Sequence, residues 1–471
     1  MARGARWAVG TTAVLLVLGA GGYAAADAYD VVPGRLTLEP PPPTPAPFPT
    51  ADVDPAPDIA AVLGELDPDA PFPSVEAVEA LAASAVADPR LGSSTTIVVS
   101  DVLTGRVLVD VGGSQPQEPA STTKLLTAAA AVTVLGTGAT LTTSVVQPAP
   151  GTIVLVGGGD MMLAAGAGDP TAVNGHAGLA DLADEVAQAL TAAGVTQVTL
   201  GLDDTLFTGP SWNTGWQPGH NRYVAPIAAL AVDTGHTSDV RYSVRQGDPA
   251  LEAARQLARL LAERGVAVSG DPVRMTAPDG APRIADVGSA PMRDIVRYMV
   301  QESENTIAEV LGRLVARASG EATSFEGATH AVVAAVGALG LDTAGTAIVD
   351  CSGLAAGSRI PAGLLVDLLV LAASPGHAEL LPLDVDLAVG GWSGTLFDRF
   401  VEGPARGLVR AKTGSLPGVT SLAGTLLTQS GRLLAFAVMA DATGASGQDR
   451  PRAAVDELIT RLAAVPPAAA G

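Results

Sequence analysis

The chain has 471 residues but a single cysteine, Cys351. One thiol allows no intramolecular disulfide and no thiolate metal cluster. The five histidines (His176, His220, His236, His330 and His377) are scattered without metal-ligand spacing, so neither a metal nor an organic cofactor is expected. A Ser-His-Asp triad assembled in space stays open on spacing alone, but no histidine sits in a recognisable triad motif. Positive charge is also scarce: 27 basic residues face 48 acidic ones, for a formal net charge of -21. Such a chain repels nucleic acid and anionic lipid headgroups, which excludes a DNA or RNA partner. Lysine is scarcest of all. Only Lys124 and Lys412 are lysines; the other 25 basic residues are arginines. A coding bias against lysine accounts for the low number but not for where the two survivors fall.

What is present is a long, apolar chain, 48% hydrophobic, with enough material for two or three domains. Arg3 and Arg6 precede an uncharged run that lasts to Asp27, and Ala24-Ala25-Ala26 resembles a small-residue cleavage site. This reads as an export signal over residues 1–30, cleaved or retained as an anchor. A proline-rich segment follows, and 31–72 is expected to be an extended linker. The body is expected outside the cytoplasmic membrane, with membrane contact only through the N-terminal segment.

Ser94 to Ser100 and Arg106 to Asp110 read as a hairpin around Thr104-Gly105. An apolar helix is predicted from Ser121 to Leu135, ending at Gly136. Three short strands are predicted near the end, at 408–412, 420–427 and 433–439, before a helix from about 450 to 465. One hairpin and three late strands suit a single antiparallel sheet flanked by helices. The fold class is therefore α+β, with 73–143 and 276–466 forming the main domain and 144–275 a mixed α/β insertion.

Both lysines fall in short motifs. Ser121-Thr122-Thr123-Lys124 opens the apolar helix, where residues three apart share a face, so Lys124 can reach the Ser121 hydroxyl. A serine needs such a base, and a desolvated lysine near a second ammonium can serve. The same pattern also suits a helix cap with a surface lysine. Ser303-Glu304-Asn305 precedes a helix, where Ser303 or Asn305 can cap and Thr306 to Glu309 fits a capping box. Lys412-Thr413-Gly414-Ser415 ends a strand, so Lys412 and Gly414 face one way and Thr413 and Ser415 the other. Gly414 is expected to let a substrate backbone lie close.

Each motif alone is weak; their order and context carry the argument. Ser-x-x-Lys at a helix start, then Ser-x-Asn, then Lys-Thr-Gly on a late strand is the pattern of penicillin-binding proteins and β-lactamases. The chain resembles the D-alanyl-D-alanine carboxypeptidase/endopeptidase family, the class C low-molecular-mass penicillin-binding proteins, over roughly residues 90 to 465. Leu155 to Asp160, Asp203 to Phe207, Ser352-Gly353-Leu354 and Ser393 to Leu396 extend the likeness. Departures are Glu304 where Asp is common, Ser415 for Thr, Cys351 for Gly, Met161 for Pro, and a segment between Val232 and Leu251 that is short beside longer members.

The resemblance implies a serine peptidase acting on peptidoglycan stem peptides ending in D-Ala-D-Ala, acylated by β-lactam antibiotics. It implies that Ser121 attacks, Lys124 takes its proton, Ser303 relays a proton with help from Lys412, and Asn305 binds the substrate amide. Thr413 would hold the substrate carboxylate, and backbone N–H groups of Ser121 and Ser415 the oxyanion. The alternatives are a β-lactamase with the same motifs, or a wall-binding or antibiotic-sensing protein that keeps the fold without catalysis.

Overall fold

The computed structural model describes residues 66–444 and 447–468, with a few positions between 20 and 32. Most of the segments read as an export signal and a proline-rich linker lies outside the described residues. Among the described residues no helix is long and apolar enough to cross a membrane. The chain divides into two units, Met1–Gly64 and Glu65–Gly471. In the first, residues 23–27 are helical; the second holds all three motifs.

The central sheet has six strands among the described residues, in the order Ala388–Val389, Val409–Leu416, Val419–Leu427, Leu433–Ala440, Thr95–Asp101, Val107–Val111. All its neighbours run antiparallel. The early hairpin joins the late meander in register from Thr95 against Ala440 to Asp101 against Leu434. Only Ala388–Val389 adds to the expected five strands; two residues are too short to leave a periodic signal. Strand Val419–Leu427 is buried at every position but its last. Both faces of the sheet are covered, so this strand is apolar without alternation.

Helices Val75–Val86 and Asp449–Ala463 close one face over a core that includes Phe436, Leu422 and Leu458. Ser74 caps the first of them, its hydroxyl accepting from Ala77 N at 3.2 Å. The other face carries the helical core. There Lys124–Val134 packs against Asn305–Ala318 and Phe325–Ala338. Ala128 to Ala131 are fully buried, and four methyl side chains let the neighbouring helices close in.

Between the Ser121 and Ser303 motifs the chain builds a second, mixed sheet. Its order is Val273–Arg274, Gln197–Asp203, Thr152–Val156, Thr142–Ala149, Arg283–Gly288. Helices Leu179–Ala192 and Pro249–Glu263 cover it with apolar faces around Leu182, Val186 and Leu257. The sheet runs past residue 275, because Arg283–Gly288 pairs antiparallel with Thr142–Ala149. Pro68 to Phe72, the end of the segment read as linker, pack on the body. Pro68 O and Ala70 O each accept from Arg432 Nη1 at 3.1 Å, and Phe72 stacks under the same guanidinium.

Arg432 also forks onto Asp101, with Nη2 2.8 Å from Oδ1 and Nε bonded to Oδ2. Both side chains are buried. Removing the cation strands a buried carboxylate, so Arg432→Met should cost about 3–5 kcal/mol. In a thermal melt this variant should unfold several degrees early. Adding Asp101→Asn should recover part of the loss. Unchanged melting in the single variant would refute the reading.

Candidate active site

Ser121 lies not on the α-helix but on a 3-10 turn, Ala120–Thr123, that leads into it. This corrects the expected helix start. In a 3-10 turn residues three apart eclipse, which brings Lys124 directly over Ser121. Lys124 Nζ stands 3.0 Å from Ser121 Oγ. The turn is entered through Ala120 in the left-handed region (φ 48). Gly353 packs so tightly on the Ala120 carbonyl that a Cβ there would lie 1.8 Å from its oxygen. Left-handed backbone in a non-glycine residue costs about 1–3 kcal/mol and persists only where surrounding contacts enforce it.

Ser303 repeats the pattern. It terminates helix Met292–Glu302 with φ 58 and precedes helix Asn305–Ala318. The cap of the second helix is neither Ser303 nor Asn305 but Glu304, whose Oε1 accepts from Thr306 N at 3.0 Å. With the cap supplied by Glu304, Ser303 and Asn305 turn into the site. Lys412 Nζ lies 2.9 Å from Ser303 Oγ and 3.0 Å from Thr413 O. Asn305 Oδ1 accepts from Lys124 Nζ at 2.7 Å, and its Nδ2 donates to Tyr223 O at 2.9 Å. The three motifs therefore meet. Ser121, Ser303, Asn305, Thr413 and Ser415 line one cleft of about 1060 Å³.

Strand parity holds on Val409–Leu416: Lys412 and Gly414 are buried, while Thr413 and Ser415 line the cleft. A Cβ on Gly414 would lie 2.1 Å from Ser421 Oγ and 2.5 Å from Pro119 O, so the glycine makes room for the Ser121 turn.

Both lysines are fully buried. Burial pulls Lys124 down to about 8, opposed by the charges of Asp350, Glu309 and Glu304. Lys412 falls well below the ordinary lysine value, from burial first and then from the charge of Lys124. Lys124 has a third partner, Ser352 O at 2.7 Å. A neutral amine has two N–H donors and one lone pair. Two acceptors at 2.7 Å plus a hydroxyl at 3.0 Å match that inventory, with the lone pair facing Ser121. The arrangement can take a proton from Ser121. Among the described residues no group of acids, histidines and cysteine is placed to hold a metal ion.

The sequence reading missed Glu309 and Asp350. Glu309 looks like the last residue of a capping box, but it is buried. It accepts from Cys351 N at 3.2 Å and Ser352 N at 2.8 Å, holding the backbone just before the carbonyl that accepts from Lys124. Asp350 accepts from Gly353 N and Ala355 N, both at 2.7 Å, and from Trp216 Nε1 at 2.8 Å. Burial raises both carboxyls above their ordinary range. The signal was an acid one helical turn after Asn305, on the same face as the site. Cys351 fits beside them because Gly312 leaves space; a Cβ on Gly312 would lie 2.3 Å from its sulfur.

The model of the D-Ala-D-Ala carboxypeptidase 3 (S13) family matches residues 78–248 and 236–462. The chain belongs to this family. A carboxypeptidase of Mycobacterium tuberculosis is 39% identical over 405 residues, spanning 83% of this chain and 84% of that protein. The D-alanyl-D-alanine carboxypeptidase of an Actinomadura species is 31% identical over 458 residues, 80% of this chain and 82% of its own. In fold, the chain is similar to penicillin binding protein 4 of Haemophilus influenzae, with a TM-score of 0.68 at 21% identity, covering 82% of this chain and 98% of that one. This carboxypeptidase is thus an enzyme that shares the fold of that protein. Its two matched stretches overlap at 236–248, inside the segment that is short by sequence.

Asp350→Asn should remove the largest influence holding the Lys124 proton on. The acidic limb of the pH–rate profile should then move to lower pH. One buried donor loses its best acceptor, so stability should fall by about 1–3 kcal/mol. A limb that stays in place would show that Asp350 only packs.

Proposed function

We propose that this carboxypeptidase cleaves the bond between the two D-alanines of peptidoglycan stem peptides through an acyl-enzyme on Ser121. The observation that carries the reading is Lys124 Nζ, 3.0 Å from Ser121 Oγ and held by two acceptors at 2.7 Å. Neutral Lys124 takes the hydroxyl proton as Ser121 Oγ attacks the carbonyl. The C–O bond forms, and the tetrahedral oxyanion is held by the N–H groups of Ser121 and Ser415, a contribution typically worth a few kcal/mol. The C–N bond then breaks. Ser303, 2.9 Å from Lys412 Nζ, passes its hydroxyl proton to the leaving amine and is reprotonated by the proton that Lys124 took from Ser121. Asn305 binds the substrate amide, and Thr413, beside Thr395 at 3.1 Å, holds the terminal carboxylate. Water releases the acyl group and returns Ser121.

A β-lactam presents a strained amide to the same serine and is proposed to acylate it. The enzyme is proposed to work outside the cytoplasmic membrane. The support is Arg3, Arg6 and the uncharged run after them.

Intact-mass spectrometry with a penicillin tests the reading. The protein should gain one drug mass, and Ser121→Ala should gain none. An adduct that survives Ser121→Ala would move the nucleophile elsewhere. Rapid consumption of the drug without an adduct would favour a β-lactamase.

A further inference from the structure

The segment between Val232 and Leu251 forms a strap on the wall of the cleft. Residues 236–245 close on themselves: His236 bridges to Arg245, Thr237 Oγ1 donates to Val244 O at 2.7 Å, and Gln246 N donates to Gly235 O at 2.7 Å. Arg245 ends this loop with its side chain only 3% exposed. Nη1 donates to Thr234 O at 2.8 Å, and Nη2 donates to Glu304 Oε2 at 3.1 Å. Nε is buried and has no hydrogen-bond partner among the described residues. A buried ion pair is weak evidence for stability, and an unpaired buried N–H detracts further. The pair therefore calls for a reason other than stability.

Glu304 supplies the reason. Both its oxygens are engaged: Oε1 accepts from Thr306 N at 3.0 Å while Oε2 faces Arg245. Capping alone does not call for glutamate, which is not among the residues preferred at that position. The second contact accounts for the longer side chain. Glu304 N donates to Met299 O at 3.1 Å, which closes the turn around Ser303.

Ser303 itself is left-handed, with φ 58 and ψ 37. A non-glycine residue keeps that backbone only where its neighbours enforce it. The backbone also decides where its Cβ points, before Lys412 meets the hydroxyl at 2.9 Å. Upstream, Ser303 is held by the end of helix Met292–Glu302. Downstream, it is held by Glu304, whose carboxylate is tied to the helix it caps and to the strap.

We propose that Arg245 is a positioning residue for the reaction: through Glu304 it holds Ser303 in its left-handed turn and so keeps the Ser303 hydroxyl aimed at the leaving nitrogen. The inference rests on the reading of Ser303 as the group that gives the leaving amine its proton.

The test compares kcat/KM for an acetylated peptide ending in D-Ala-D-Ala with that for its thioester analogue, in which sulfur replaces the scissile N–H. When the C–N bond breaks, nitrogen needs the Ser303 proton. When the C–S bond breaks, sulfur leaves as a thiolate and needs none. Arg245→Met with Glu304→Gln removes the tie without stranding a buried carboxylate, and the new amide oxygen can still cap Thr306 N. This double variant should lose about tenfold more on the peptide than on the thioester, within what a misplacement of about 1 Å costs. A change in the Lys124 base or in overall packing acts on both substrates and cancels in the ratio. Equal losses on the two substrates, or no loss on either, would overturn the proposal. Ser303→Ala reports separately on the underlying reading, and should lose about a hundredfold more on the peptide than on the thioester. If Ser303→Ala is selective and the double variant is not, the positioning role alone fails. If Ser303→Ala slows both substrates equally, the proton-donor reading fails and takes the inference with it.

Discussion

The structure depends on keeping two amines out of water. Lys124 and Lys412 are the only lysines of the chain, and both are fully buried. A buried ammonium is unfavourable unless paired, so burial itself drives each toward the neutral form. No carboxylate lies within ion-pair distance of either amine among the described residues. Arginine at either place would hold its charge and defeat the arrangement. Asp350 and Glu309 act on Lys124 from a distance and keep its proton affinity near neutrality instead of letting it collapse.

The fold follows from the need to bring those amines together. Ser121 opens the helical core, Ser303 sits between two helices of that core, and Lys412 lies on the sheet. Each serine is set by a left-handed residue, Ala120 for one and Ser303 itself for the other. Strain of this kind is common where geometry matters more than stability. Gly353 and Gly414 allow the close approaches beside the Ser121 turn, so their value is internal packing. Glu304 both caps a helix and holds Arg245, and so links the Ser303–Asn305 triplet to residues 236–245.

Much of this is legible in the sequence. The hairpin and late meander show period, length and turn residues, and their pairing into one sheet follows from edge satisfaction. The three motifs name residues that the fold brings together around one cleft, among them Ser121, Ser303, Asn305, Thr413 and Ser415. What stays hidden depends on tertiary contacts. A glutamate four residues into a helix reads as a cap, and nothing local shows that Glu309 is swallowed by the 350–355 loop. The 3-10 start of the Ser121 helix is a matter of one turn, below the resolution of propensity. The strap has no periodicity, and its tie to Glu304 spans 59 positions.

The scarcity of lysine makes the central claim directly measurable. Lysine labelled with ¹³C at Cε gives two resonances in this chain, one for Lys124 and one for Lys412. A pH titration followed by NMR, with Lys124→Met and Lys412→Met for assignment, reads each amine separately. The account expects the Lys124 resonance to titrate near 8 and the Lys412 resonance to report a neutral amine well below the ordinary lysine range. Two resonances that both titrate near 10.4, the value of a solvated lysine, would contradict it.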